Sequence, residues 1–149
     1  MVDVESEQRR VLLVSDIHSH WENFSTCIRW AKSQPKFDYI FVMGDQAVAA
    51  HKPDKPINKE EDQHAVEANI KIMESLEEIV DEPNRIFYIP GNHDAECLYD
   101  VDPPQHGKTA KNIHRQAVEI EEGLILAGMG GSHPMQYKAP GSDDWISKW

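Results

Sequence analysis

Two short, largely apolar runs, Val11 to Val14 and Asp38 to Met43, each give way abruptly to polar residues, Ser15-Asp16 in one case and Gly44-Asp45 in the other. Continuous runs of this length without alternation predict strands buried in a parallel sheet. Between them, Phe24, Cys27, Ile28 and Ala31 recur at helical spacing within Trp21 to Ser33. Asn23 is the expected N-cap and Pro35 closes the segment, with Cys27 a small core residue on the buried stripe. The three elements make a βαβ unit.

The stretch from Ala47 to Glu60 is rich in Pro, Lys and Asp and predicts a long exposed loop hanging over the strand ends. Glu61 to Val80 then carries Val66, Ile70, Met73, Leu76, Ile79 and Val80 on one stripe, with acidic residues opposite. That is an amphipathic helix packing on a sheet. Arg85 to Ile89 predicts a third strand, set in the same sheet by the right-handed crossover rule and leading into Pro90-Gly91-Asn92-His93-Asp94. After a loop from Cys97 to Thr109, Ala117 to Glu121 and Gly123 to Met129 predict a hairpin turning near Glu122-Gly123. Gly128 to Ser132 breaks regular structure, and the tail from His133 to Trp149 shows no periodicity and is assigned no element.

Composition narrows the classes. A chain of 149 residues fits one domain over residues 1–149, and its 40% hydrophobic and 28% charged residues are those of a globular protein. The net charge of -11 argues against nonspecific nucleic-acid binding, which depends on Lys and Arg neutralising phosphates. Cys27 and Cys97 lie far apart without Cys-x-x-Cys spacing, so neither a disulfide framework nor a structural zinc site is expected. No apolar stretch nears the roughly 20 residues of a membrane span, and a reducing cytoplasm is the expected location.

In an open α/β sheet ligands collect beyond the carboxyl ends of the strands, where residues distant in sequence converge. Asp16 and His18, two apart on an extended turn, offer a carboxylate oxygen and an imidazole nitrogen to one ion. Asp45, after a glycine that lets the backbone turn tightly, is expected to bridge two ions. Asn92 offers an amide oxygen to the second ion, leaving His93 to protonate a departing oxygen and Asp94 to orient that imidazole. Mixed oxygen and nitrogen ligation suits Mn, Fe or Zn. Among the other histidines, His20 is expected at the surface or as a cap, and His51, His64 and His106 in solvent. His114 is expected in a structural role or in support of the metal ligands, and Cys97 shows no sign of an activating base.

With Asp16-Ile-His18, Gly44-Asp45 and Gly91-Asn92-His93-Asp94 each placed after a strand, the chain resembles the calcineurin-like metallophosphoesterase superfamily over roughly residues 11–132. Asn112-Ile113-His114 and Gly123 to Ser132 also look like a stretch found in some members. The resemblance implies an αββα sandwich, a dinuclear metal centre, and a metal-activated water that attacks a phosphorylated small molecule or other phosphoester. Pro90 before Gly91, and Val48 where a second Asp would stand, depart from the phosphoprotein-phosphatase branch. Family members also carry a later lone His and a Gly-His-x-His segment, so the chain is expected to hold only the N-terminal part of the fold, with His133 a weak substitute ligand. Two readings follow: a metal-dependent phosphoesterase, or a noncatalytic subunit in which a second copy or a protein partner covers the missing half.

Overall fold

Val11–Val14 (β1) runs parallel to Tyr39–Met43 (β2), which pairs in turn with Ile86–Ile89 (β3). A two-residue strand, Lys111–Asn112 (β4), continues the sheet beyond β3, again parallel. The computed structural model describes residues 8–48, 59–100, 106–131, 135–138 and 145–148. Val14 stands opposite Val42 and Met43 opposite Ile89, so the three polar segments that follow these strands leave the sheet at one edge.

Period-two alternation sorts the sheet's side chains into two cores. Leu12, Val14, Ile40, Val42, Ile86 and Tyr88 meet Phe24 and Ile28 of helix Trp21–Lys32 (α1) and Ala65, Ile72, Met73 and Leu76 of helix Lys59–Glu77 (α2). On the other face, Tyr39, Phe41, Phe87 and Ile89 join Ile113 under Val118, Ile120 and Leu126. Those last residues belong to the antiparallel hairpin of Gln116–Glu121 (β5) and Leu124–Gly128 (β6), which turns at Glu122-Gly123 with Gly123 at φ +76°. The result is a helix layer, a parallel sheet and a β layer, three successive layers of the expected αββα order.

Several elements depart from expectation. β1 is an edge strand, with Val11 and Leu13 exposed, because the hairpin covers the β2–β3–β4 side and stops short of it. A continuous apolar run does not tell an edge strand from a central one. α1 is capped at His20, whose side chain makes no capping hydrogen bond, and Asn23 lies within the first turn. The reason is that the Ser19 amide is tied to the Gln46 carbonyl, which starts the helix directly after the strand-tip turn. Cys27 is exposed, since the buried stripe is Phe24, Ile28 and Ala31 and position 27 falls outside it.

His106 is not in solvent but buried, stacked on Tyr88 at 6.3 Å between ring centroids. A 3-10 turn at Glu96–Tyr99 occupies the start of the expected Cys97 to Thr109 loop, and β4 lies just after that loop, in a stretch assigned no element. The tail contains Met135–Lys138 (β7) and Trp145–Lys148 (β8), paired antiparallel, each too short between prolines and glycine to show a period. His51, His133 and residues 49–58 of the expected overhanging loop lie outside the described residues.

Candidate metal centre

The first two strand tips are bound to each other by backbone hydrogen bonds. The amides of Asp16, His18 and Ser19 donate to the carbonyls of Gly44, Asp45 and Gln46 at 3.2, 2.9 and 3.1 Å. Asp16, His18 and Asp45 all adopt left-handed backbone, with φ of 55°, 47° and 55°. Such conformations cost on the order of 1–3 kcal/mol each in a non-glycine residue and cluster at functional sites. Here they turn the three side chains towards one another: a ligand atom from each lies within 4.8 Å of the others. His18 Nε2 is 3.8 Å from Asp16 Oδ1, and the Ser15 hydroxyl donates to Asp16 Oδ2.

The third tip is pressed onto the second. A Cβ on Gly91 would stand 2.2 Å from both the amide nitrogen and Oδ1 of Asp45, so only glycine lets the Gly91–Asp94 turn come this close. The His93 amide donates to Asp45 Oδ1 at 2.9 Å, and its imidazole meets that of His18 edge to face at 5.0 Å. Asn92, half-buried, lies in this turn between the glycine that abuts Asp45 and the residue that bonds it.

Asp94 is buried, and its two oxygens accept the amides of Ala47 and Gly91, both at 2.8 Å. It ties the exit of β2 to the exit of β3. Burial pushes its pKa up to about 6, with the Asp45 charge adding to this and the two amides opposing it. The Gln46 side-chain amide makes a parallel tie to the Ile89 carbonyl at 2.9 Å.

Two carboxylates and an imidazole form a donor set suited to a borderline divalent cation, and the volume closed by Gly91 keeps Asp45 against the turn that carries Asn92. The described residues therefore fit a metal centre. His20 and His64 are exposed, while His114 is buried and accepts the Gly130 amide at Nδ1, as a structural residue does. Burial raises the Cys97 thiol pKa, helped by Asp62 and Asp100, so no activated nucleophile is built there. A separate cleft of about 520 Å³ is lined by Glu74, Glu77, Asp81 and Lys108 and contains none of the strand-tip residues.

Sequence reasoning passed over Ser15, Gln46 and Tyr99. Ser15 and Gln46 adjoin predicted ligands and were findable on that ground, whereas Tyr99, whose hydroxyl donates to the Gly91 carbonyl at 2.6 Å, carries no local signal.

A family model described as calcineurin-like phosphoesterase matches residues 9–148, spanning every element above. Comparison with curated proteins and with solved structures gives no match.

Proposed function

The chain belongs to the calcineurin-like phosphoesterase family, and from that premise we propose that it hydrolyses a phosphomonoester or phosphodiester at a centre of two divalent cations. The observation that carries this reading is the convergence of Asp16, His18 and Asp45 within 4.8 Å, with the Gly91–Asp94 turn seated on Asp45. Asp16 and His18 would hold one cation, Asp45 would be shared, and Asn92 would serve the second. Bound there, divalent cations such as manganese supply Lewis-acid polarisation of the phosphoryl group and an acidified water.

The remaining work falls to the chain's own groups. The His93 amide fixes Asp45 Oδ1, leaving its imidazole, held against His18, to protonate the departing oxygen. Asp94 acts by position, since its oxygens hold the Ala47 and Gly91 amides and so set the spacing of two tips. Two free thiols fit a reducing cytoplasm, and no helix among the described residues is long and apolar enough to cross a membrane.

The test is hydrolysis of p-nitrophenyl phosphate and its bis ester by the Mn2+-loaded chain and by His93→Ala. A general acid contributes about 10²–10⁴-fold, so the variant should lose that much rate while titrating Mn2+ as the parent does. Equal rates in variant and parent would sink the assignment.

A second reading, a noncatalytic interaction subunit, is favoured by one observation. Val11, Leu13 and Met43 lie on the hairpin side of the sheet but remain exposed beyond the hairpin's cover, with Leu13 57% exposed. A chain that stays monomeric by light scattering and turns over either ester counts against it.

A further inference from the structure

Gly91 is held from two sides. Asp45 closes one side at the distance of a missing Cβ, and on the other the Tyr99 hydroxyl donates to the Gly91 carbonyl at 2.6 Å. Tyr99 is itself supported: its ring meets the imidazole of buried His114 edge to face, 5.1 Å between centroids at 77°. His114 Nδ1 accepts the Gly130 amide at 2.9 Å, and the next amide, Gly131, donates to the Pro90 carbonyl at 2.8 Å. A Cβ on Gly130 would stand 2.4 Å from that same carbonyl.

These contacts close a circuit from the turn through Tyr99, His114 and the loop after β6, back to Pro90 and the turn. Every link is a hydrogen bond or a ring contact between residues well separated in sequence, and none of Tyr99, His114, Gly130 and Gly131 is a candidate metal ligand. Burial raises the Tyr99 pKa, with the Asp94 and Asp45 charges adding to this, so the phenol remains a donor. The His114 pKa is lowered by burial first and by Arg115 second, so the imidazole remains neutral and keeps its acceptor nitrogen for Gly130.

We infer that Tyr99, braced by His114, is a positioning residue of the metal centre, holding the Gly91–Asn92–His93 turn against Asp45 so that Asn92 can serve the second cation. This rests on the two-cation reading above. It assigns the Tyr99 hydroxyl to one cation and not the other, because Asp16 and His18 are held by the β1–β2 zipper, whereas the Tyr99 hydroxyl bonds the Gly91 turn.

The experiment is calorimetric titration of Co2+ into the full chain, Tyr99→Phe, Asn92→Ala and Asp45→Ala, with the visible Co2+ spectrum followed alongside. Phe keeps the ring against His114 and removes only the hydroxyl. Partners of metal ligands typically contribute 10–100-fold in affinity, so Tyr99→Phe should weaken the second Co2+ about tenfold or more. The first Co2+ and its spectrum should stay as in the parent, as should the melting temperature of the metal-free chain. Asn92→Ala should reproduce that pattern more severely.

Two Co2+ bound as in the parent would overturn the inference and leave the two-cation reading standing. A loss of both sites together with a lower melting temperature would reduce Tyr99 to a structural residue, and the same dual loss in a conservative His114→Phe variant would count against the inference in the same way. Failure of the parent to bind two cations would remove the reading and the inference with it, a case marked by Asp45→Ala titrating like the parent.

Discussion

His106 is 2% exposed, and neither ring nitrogen has a hydrogen-bond partner among the described residues. Burial lowers its pKa below the ordinary histidine value, so between the two values the unfolded chain binds the proton and the folded chain does not. By linkage, stability is then complete above pH about 6.5 and falls as the pH drops through that value. His106→Phe keeps a ring to stack on Tyr88 and removes both the protonation and the two unpaired nitrogens. Its stability in urea at pH 7.5 should equal or exceed the parent's by about 1 kcal/mol, and the loss between pH 7.5 and 5.5 should shrink. An unchanged loss would show that this imidazole is not the group responsible. Nothing in Gln105-His106-Gly107 announces burial: polar neighbours and a glycine read as loop, and the stacking partner Tyr88 lies 18 residues away.

At the level of elements, legibility followed the length of the pattern. β2 and β3 are continuous apolar runs, α2 repeats its stripe over several turns, and the β5–β6 hairpin alternates around a glycine, so each was readable. The tips of the candidate metal centre were readable for the same reason, since position after a strand is what brings Asp16, His18 and Asp45 together. β4 has only two residues, and β7 (Met-Gln-Tyr-Lys) and β8 (Trp-Ile-Ser-Lys) mix apolar and polar residues, so neither shows the continuous apolar run that makes the equally short β3 readable. The edge status of β1, and with it the exposure of Leu13, depends on which face the hairpin covers, and that is long-range information. Leu76 illustrates the readable part: it lies on the predicted stripe, is 1% exposed, and packs in the cluster with Ile86 and Tyr88. Leu76→Ala should therefore cost about 3 kcal/mol in urea denaturation, within the range for a buried leucine. A loss below about 1 kcal/mol would mean that α2 collapses onto the sheet without it.

On the scale of the whole molecule, the fold gathers charge that the chain as a whole already carries in excess. The net charge is -11, and the sheet edge brings Asp16 and Asp45 together, with Asp94 buried beneath the same tips. Like charges so placed oppose the compact state, and a bound cation reverses the sign of that contribution. A cation that binds only the folded chain stabilises it by about 2.7 kcal/mol at 100 times its dissociation constant. For a domain of this size that corresponds to a rise in melting temperature of roughly 5–10 °C, taking about 2–4 °C per kcal/mol. Melting followed by circular dichroism with and without Mn2+ should show this rise for the parent and none for Asp45→Ala. Because each chain is compared with itself, any intrinsic effect of the substitution cancels. An equal rise in both chains would place the cation elsewhere on the acidic surface. A rise confined to the parent would tie the stability of the fold to the strand tips that form the candidate metal centre.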